Sequence, residues 1–215
     1  NLSKINFIKD TDTVAGFSVS MPFKQKIIPY LDKLDKVSKK TNSVNTVKVI
    51  KNKFFGFNTD YYGVHEILRK YKIKNNKSIL LLGNGGMANT IRILLKDLKF
   101  NNINYSSRNK KRYNNWDIKK NDIIDWNKRG HIKKYDLLIN ATPLGMWNNN
   151  ILPISSQNIR NFKIFLNCSV NEASVLKKEC KRFNKKYISG MELSYYQAKQ
   201  QFKIYTGINI ENKNG

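Results

Sequence analysis

Apolar and polar positions change period several times along this chain, and each change marks an element. Ser78 to Leu98 reads SILLLGNGGMANTIRILLKDL, an apolar run from Ile79 to Leu82 followed by a glycine cluster and then apolar positions at Ile91, Leu94, Leu95 and Leu98. A short continuous run predicts a buried strand and helical spacing predicts an amphipathic helix, so the stretch reads as strand, tight turn and helix. Further strands are predicted at Asn102 to Ser106, Tyr135 to Ala141, Lys163 to Cys168 and Lys186 to Ser189, with a helix over Ala173 to Phe183. Strands alternating with helices imply parallel pairing and a doubly wound sheet. A long helix follows from Gly190 through about Tyr205. Its place after the last strand predicts a return to the first lobe of a two-lobed molecule with a cleft.

Upstream, Leu2, Ile5, Phe7 and Ile8 predict the end of a helix, and the β-branched and aromatic run Val14 to Ser20 predicts a strand that Pro22 stops. A helix is expected from about Phe23 to Lys39, with Ile27, Ile28, Leu31, Leu34 and Val37 as its stripe and Pro29 near its start. Ser43 to Ile50 and Phe54 to Phe57 read as a hairpin about the polar turn Lys51 to Lys53. Val64, Ile67 and Leu68 form the face of another helix, with Thr59 or Asp60 as its N-cap. Lys70 to Lys77 reads as a linker. The expected fold is α/β in two lobes: residues 1–72 with 190–215 packing back on them, and a doubly wound Rossmann domain over 73–189.

Composition changes this picture little. The 215 residues can bury one large core or two modest ones. No apolar run reaches the roughly 20 residues of a membrane span, so a soluble protein without a membrane partner is expected, and the two cysteines, read as reduced thiols, fit a cytoplasmic compartment. Forty Lys and Arg against fifteen Asp and Glu give a formal charge of +25. That excess is scattered and travels with Asn and Ile, which share A/T-rich codons with Lys, so it does not require nucleic acid. Aromatic residues show no interleaving with basic runs of the kind a single-strand platform needs. Cys168 and Cys180 show no metal-ligand spacing with each other or with His65 and His131, so no metal is expected and both read as reduced thiols.

The glycine cluster is where chemistry enters. Gly83, Gly85 and Ala88 fit the dinucleotide fingerprint G-x-G-x-x-G/A, in which the turn, the close approach of a pyrophosphate and helix–strand packing each need a small residue. The amides of the helix N-terminus then face the phosphates. A fold that prefers NAD places an acidic residue about 20 positions on, to hold the ribose 2′-hydroxyl. This chain has Ser106, Ser107, Arg108, Lys110, Lys111 and Arg112 there, a cluster that suits a 2′-phosphate and points to NADP.

Several segments, taken in order, resemble the shikimate dehydrogenases and the related quinate/shikimate enzymes. SVSMPFK at 18–24 is similar to the family's N-V-T-x-P-x-K, SVNTV at 43–47 to G-A-V-N-T, and GFNTDYYG at 56–63 matches G-x-N-T-D-x-x-G. GNGGMA at 83–88, SSRN at 106–109, NATPLGM at 140–146 and YYQA at 195–198 follow in the family's order. The resemblance runs from about Val14 onward. It implies reversible reduction of 3-dehydroshikimate to shikimate with NADPH, a step toward chorismate and the aromatic amino acids. The partner is then a small molecule, and a homodimer stands open beside a monomer.

By the same resemblance, Lys24 and Asp60 are the pair at the reacting centre, while Ser20, Asn45 and Gln197 contact the substrate's hydroxyls. Gly83, Asn84, Gly85, Gly86 and Ala88 would cradle the pyrophosphate, and Ser107 and Arg108 the 2′-phosphate. Thr142, Met146 and the backbone at Gly190 would line the nicotinamide side. The chain departs from the family in three places. The opening strand and the serine-rich S-x-S-P segment have no counterpart, which leads us to expect a chain lacking the N-terminal segment. NCSVNEAS at 167–174 matches D-x-V-Y-N-P only loosely, and Ser18 and Ser20 replace Asn and Thr. Two neighbouring readings are a quinate/shikimate dehydrogenase able to use NAD and a catalytically degenerate NADP-binding relative. A basic nucleic-acid-binding protein is the reading from a different class.

Overall fold

The structure, a computed structural model, describes residue 5 and residues 14–130, 134–146, 151–170 and 175–210. The helix end expected before Asp10 therefore lies outside the described residues apart from Ile5, which is buried. Contacts divide the chain into one unit of Asn1–Glu66 with Tyr195–Gly215 and another of Ile67–Ser194.

The first unit is built on a four-stranded sheet. Its elements in chain order are β1 (Gly16–Ser18), β2 (Lys33–Leu34), helix α1 (Lys36–Thr41), β3 (Thr46–Ile50), β4 (Lys53–Phe57) and the first eight residues, through Glu66, of helix α2 (Thr59–Lys70). The sheet order is β1-β3-β4-β2, antiparallel at the first two pairings and parallel between β4 and β2. The predicted hairpin is present: Lys51 and Asn52 both have positive φ, 47° and 58°, the primed-turn geometry that matches the twist of a tight hairpin.

The helix expected over Phe23 to Lys39 does not form. Turns lead into a short 3-10 helix at Ile28–Tyr30, then β2, then α1. Pro29 falls inside the predicted span, where it removes an amide donor and crowds the carbonyl four residues back. Asp32 then draws the chain into the sheet: its carboxylate accepts from the Phe54 amide at 2.7 Å and its own amide donates to the Phe54 carbonyl at 3.0 Å. The apolar periodicity reported burial correctly all the same. Ile27 is buried with Val19, Val44, Val47 and Phe54, and Ile28, Leu31 and Leu34 pack against that core. Asp35 restarts a helix by capping α1, its Oδ1 accepting from Ser38 N at 2.7 Å.

The second unit holds β5 (Ile79–Leu82), α3 (Gly86–Asp97), β6 (Ile103–Ser106), β7 (Tyr135–Asn140), β8 (Phe162–Asn167), α4 (Val175–Arg182), β9 (Lys186–Ile188) and the start of α5 (Gly190–Thr206). All pairings are parallel, in the order β6-β5-β7-β8-β9. The four residues of β5 are fully buried, as an internal strand covered on both faces requires. The crossover from β6 to β7 is made of 3-10 turns at Lys110–Asn115, Lys120–Asp122 and Trp126–Lys128. Cys180 belongs to the core, and burial, helped by nearby Glu179, pushes its thiol up to about 12. No helix among the described residues is long and apolar enough to cross a membrane.

Candidate functional site

In the first unit, three chain-distant segments converge on one carboxylate. Val19 N donates to the Asn45 carbonyl at 2.8 Å and Val44 N to the Lys24 carbonyl at 2.8 Å, so the segment after β1 lies along the approach to β3. Asn58 follows β4 directly, and its Oδ1 accepts from Asp60 N at 3.1 Å. Asn58 therefore caps α2, and Thr59 and Asp60, expected as caps, are instead its first helical residues. The correction matters for the chemistry. A capping carboxylate would be spent on backbone amides, whereas Asp60 points its side chain elsewhere with the positive end of the helix behind it.

Asp60 Oδ2 accepts from Lys24 Nζ at 2.5 Å, and Oδ1 accepts from Asn45 Nδ2 and Gln197 Nε2, each at 2.9 Å. The Asp60 side chain is 3% exposed and that of Lys24 20%. A carboxylate so deeply buried is costly without donors, and three side chains supply them. Lys24 is the member that reaches solvent, and an ammonium engaged once by Asp60 keeps further N–H bonds for a bound molecule. Ser20 is exposed, its hydroxyl donating to the Met21 carbonyl at 3.4 Å. Lys24, Asn45, Asp60 and Gln197 are thus joined by direct hydrogen bonds, while Ser20 stands outside that cluster.

The residues that hold Asn45 lie in the segments at 43–47 and 56–63 but were given no role at the site. Asn45 Oδ1 accepts from Thr59 N at 2.8 Å, Thr59 Oγ1 at 3.1 Å and Thr46 Oγ1 at 2.9 Å. Gln201 Nε2 donates to Thr46 Oγ1 at 2.9 Å. The helical offset of Gln201 from Gln197 was a usable signal, since residues four apart share a helix face.

In the second unit the glycine turn after β5 and the Thr142 turn after β7 lie where the strand order reverses, the switch point at which parallel sheets take ligands, while Ser107 and Arg108 follow β6 and Gly190 follows the edge strand β9. Gly83 has φ +108°, and a Cβ there would lie 2.7 Å from the Ala141 carbonyl oxygen. Gly85 is the N-cap of α3 and offers the helix no side-chain cap, and a Cβ built on it meets nothing within 4 Å. Helix amides that face open space fit a pyrophosphate. Asn84 Nδ2 donates to the Asn109 carbonyl at 2.5 Å and Ser107 Oγ to the same carbonyl at 3.2 Å, tying the glycine turn to the loop after β6.

That loop carries the basic cluster, with one correction. Lys110 pairs with Asp125 at 2.7 Å, so the cations there without an ion-pair partner among the described residues are Arg108, Lys111 and Arg112. The Thr142 hydroxyl donates to Asn140 Oδ1 at 2.6 Å and accepts from Leu144 N at 3.2 Å, bracing the turn that leads to Met146. Gly190 sits where a Cβ would fall 1.9 Å from the Ser169 carbonyl oxygen, so its smallness serves chain packing. No cluster of three or more metal-ligating side chains occurs among the described residues.

A parallel sheet of this winding, with an open helix N-terminus at its reversal point and a lysine–carboxylate centre in the accompanying unit, places the chain among the nucleotide-dependent α/β oxidoreductases. Comparison with known proteins narrows the class. The family model described as the shikimate dehydrogenase substrate binding domain matches residues 2–47, extending the likeness upstream of Val14. The shikimate dehydrogenase (NADP+) of Staphylococcus haemolyticus is 30% identical over 205 residues, 94% of this chain and 76% of the relative. That of Methanococcus vannielii is 32% identical over 223 residues, 96% of this chain and 78% of the relative. A crystal structure of shikimate dehydrogenase 1 from Peptoclostridium difficile superposes with a TM-score of 0.83 at 28% identity, covering 98% of this chain and 78% of that one. The chain belongs to the shikimate dehydrogenase family.

Proposed function

We propose that this chain interconverts 3-dehydroshikimate and shikimate with NADPH and NADP+, the substrate held by the unit that contains Lys24 and the cofactor by the other. The observation that carries the reading is the Asp60 carboxylate, bonded at once to Lys24, Asn45 and Gln197.

Reducing a ketone adds a hydride to the carbonyl carbon and leaves negative charge on its oxygen, which must be stabilised and protonated. Bound NADPH supplies that hydride. Lys24 donates an N–H to the carbonyl oxygen and passes it the proton as the alcohol forms. Its partial exposure then lets solvent restore the ammonium. In the oxidation direction the Lys24–Asp60 pair removes the hydroxyl proton. Asp60 holds the Lys24 head in place and accepts from a neighbouring ring hydroxyl. Asn45 keeps a second N–H on Nδ2, and with Gln197 and Ser20 it suits a polyhydroxylated ring.

On the cofactor side, Gly83, Asn84, Gly85, Gly86 and Ala88 would hold the pyrophosphate at the open N-terminus of α3. Ser107 and Arg108 take the 2′-phosphate, with Lys111 and Arg112 close in sequence, and the absence of an acidic residue at that place favours NADP over NAD. Thr142, Met146 and the backbone at Gly190 would line the nicotinamide side, as the family resemblance implies.

The test is the near-ultraviolet absorbance of reduced nicotinamide as the protein oxidises shikimate, with quinate and NAD as comparison arms. Shikimate with NADP+ is the expected pair. Lys24→Ala should lower kcat by about 100-fold or more, in the range that general acid–base groups contribute. Little loss in that variant would remove Lys24 from the mechanism.

A further inference from the structure

Resting on the reading of Asp60 and Asn45 as substrate-facing groups, we propose that Gln201 is a positioning residue that fixes which way the Asn45 amide faces, acting through the Thr46 hydroxyl.

The direction of every bond in this chain of contacts can be worked out from groups that have no choice. The Thr59 backbone N–H can only donate, and it lies 2.8 Å from one end of the Asn45 side-chain amide. That end is therefore the oxygen, and the other end, 2.9 Å from Asp60, is the NH2 group. The Asn45 oxygen also takes the Thr46 hydroxyl at 2.9 Å, which uses that hydroxyl's single proton. Gln201, 2.9 Å from the same hydroxyl, must then present its own NH2 group. The sequence Gln201 to Thr46 to Asn45 to Asp60 runs donor to acceptor throughout, and each of these contacts is buried or partly buried.

The geometry gives Gln201 two effects. It occupies a lone pair of Thr46, which leaves the hydroxyl proton to point at Asn45. It also fastens α5 to the start of β3 one turn beyond the place where Gln197 reaches Asp60. Two glutamines on one helix face thus grip adjacent layers, one the carboxylate and one the support beneath it. A side chain acting through a buried hydroxyl has larger leverage than its exposure suggests, because buried polar chains polarise and orient one another.

The experiment compares Gln201→Ala, Gln201→Glu, Thr46→Ser and Thr46→Val in the full chain by shikimate kinetics. The Asn45 side-chain amide signal is followed in parallel by nitrogen-15 NMR. Loss of one neutral hydrogen bond predicts a fall in kcat of about 3- to 10-fold for Gln201→Ala, with a smaller change in KM. Gln201→Glu should lose more, since a carboxylate would pull the Thr46 proton off Asn45. Thr46→Ser should restore near wild-type rates and Thr46→Val should not. The double variant Gln201→Ala with Thr46→Val should be no worse than Thr46→Val alone, because both remove the same link. The Asn45 amide signal should shift in every variant that lowers kcat. An unmoved Asn45 signal in Gln201→Ala, or losses that multiply in the double variant, would overturn the proposal. If the unaltered protein failed to oxidise shikimate, the functional reading would fall. The Asn45 signal would still decide the role of Gln201.

Discussion

Asp60 and Asp136 each collect several donors, and their surroundings give them different work. Asp60 is met by three side chains, one of them the partly exposed Lys24 ammonium. Asp136 accepts from Ser78 N at 3.0 Å, Ser78 Oγ at 3.1 Å and Lys163 Nζ at 2.8 Å, which pins the first residues of β7 beside the start of β5. The hydrogen bond from Lys163, reinforced by Ser78, holds the Asp136 carboxyl at about 2 against an ordinary 3.8. A carboxylate whose pKa is depressed by folding stabilises the fold above its unfolded value, and that contribution is lost as pH falls toward the folded value. Asp136→Asn should therefore be less stable than the parent at neutral pH by about 1 to 3 kcal/mol. The two stability curves should converge between pH 4 and about 2. Denaturant unfolding of both proteins across that range checks it, and curves that stay parallel would show that Asp136 contributes no pH-dependent stability.

At the scale of elements, the β5–turn–α3 unit was legible because hydrophobic period and glycine placement agree there. Two of its three glycines, Gly83 and Gly85, do different things, and that can be tested. Gly83 has φ +108° and no space, so Gly83→Ala should destabilise the fold. Gly85 has φ −83°, ψ −172° and open space, so Gly85→Ala should keep stability within about 1 kcal/mol. If that space belongs to the pyrophosphate, the added methyl should still weaken NADP+ binding about 10-fold or more, the cost of roughly one lost phosphate contact. Calorimetric titration with a parallel thermal melt separates the two effects, and unchanged affinity would move the phosphate away from Gly85. The failures of sequence reading share a cause. The apolar positions from Ile27 to Leu34 report packing against the core correctly, but burial does not say helix once Pro29 and the pairing of Asp32 with Phe54 intervene. Lys24 and Asp60 stand 36 positions apart, so no local spacing links them, and only their motifs drew attention to both. Gln201 lies outside every motif, and Thr46, though inside the 43–47 segment, was given no role there. Their meeting depends on where α5 lies against β3, which is settled by tertiary packing.

For the whole molecule the dominant fact is charge, with forty cationic side chains against fifteen acidic ones. Exposed pairs such as Lys96–Asp117 and Lys110–Asp125 contribute little, because water and salt screen them. Set against them is the repulsion of a net +25 confined to a folded chain of 215 residues. Salt screens both, with a Debye length of about 10 Å at 0.1 M, and the larger opponent decides the sign. Repulsion should win. The thermal midpoint should rise by several degrees between about 20 and 300 mM sodium chloride, as screening relieves a destabilising term. NADP+ affinity should fall over the same range, because Arg108, Lys111 and Arg112 attract a phosphorylated ligand through the field that salt suppresses. Opposite slopes for stability and cofactor affinity, measured in one salt series, are the expected result. A midpoint that falls with salt would show instead that the paired carboxylates, few as they are, outweigh the scattered excess.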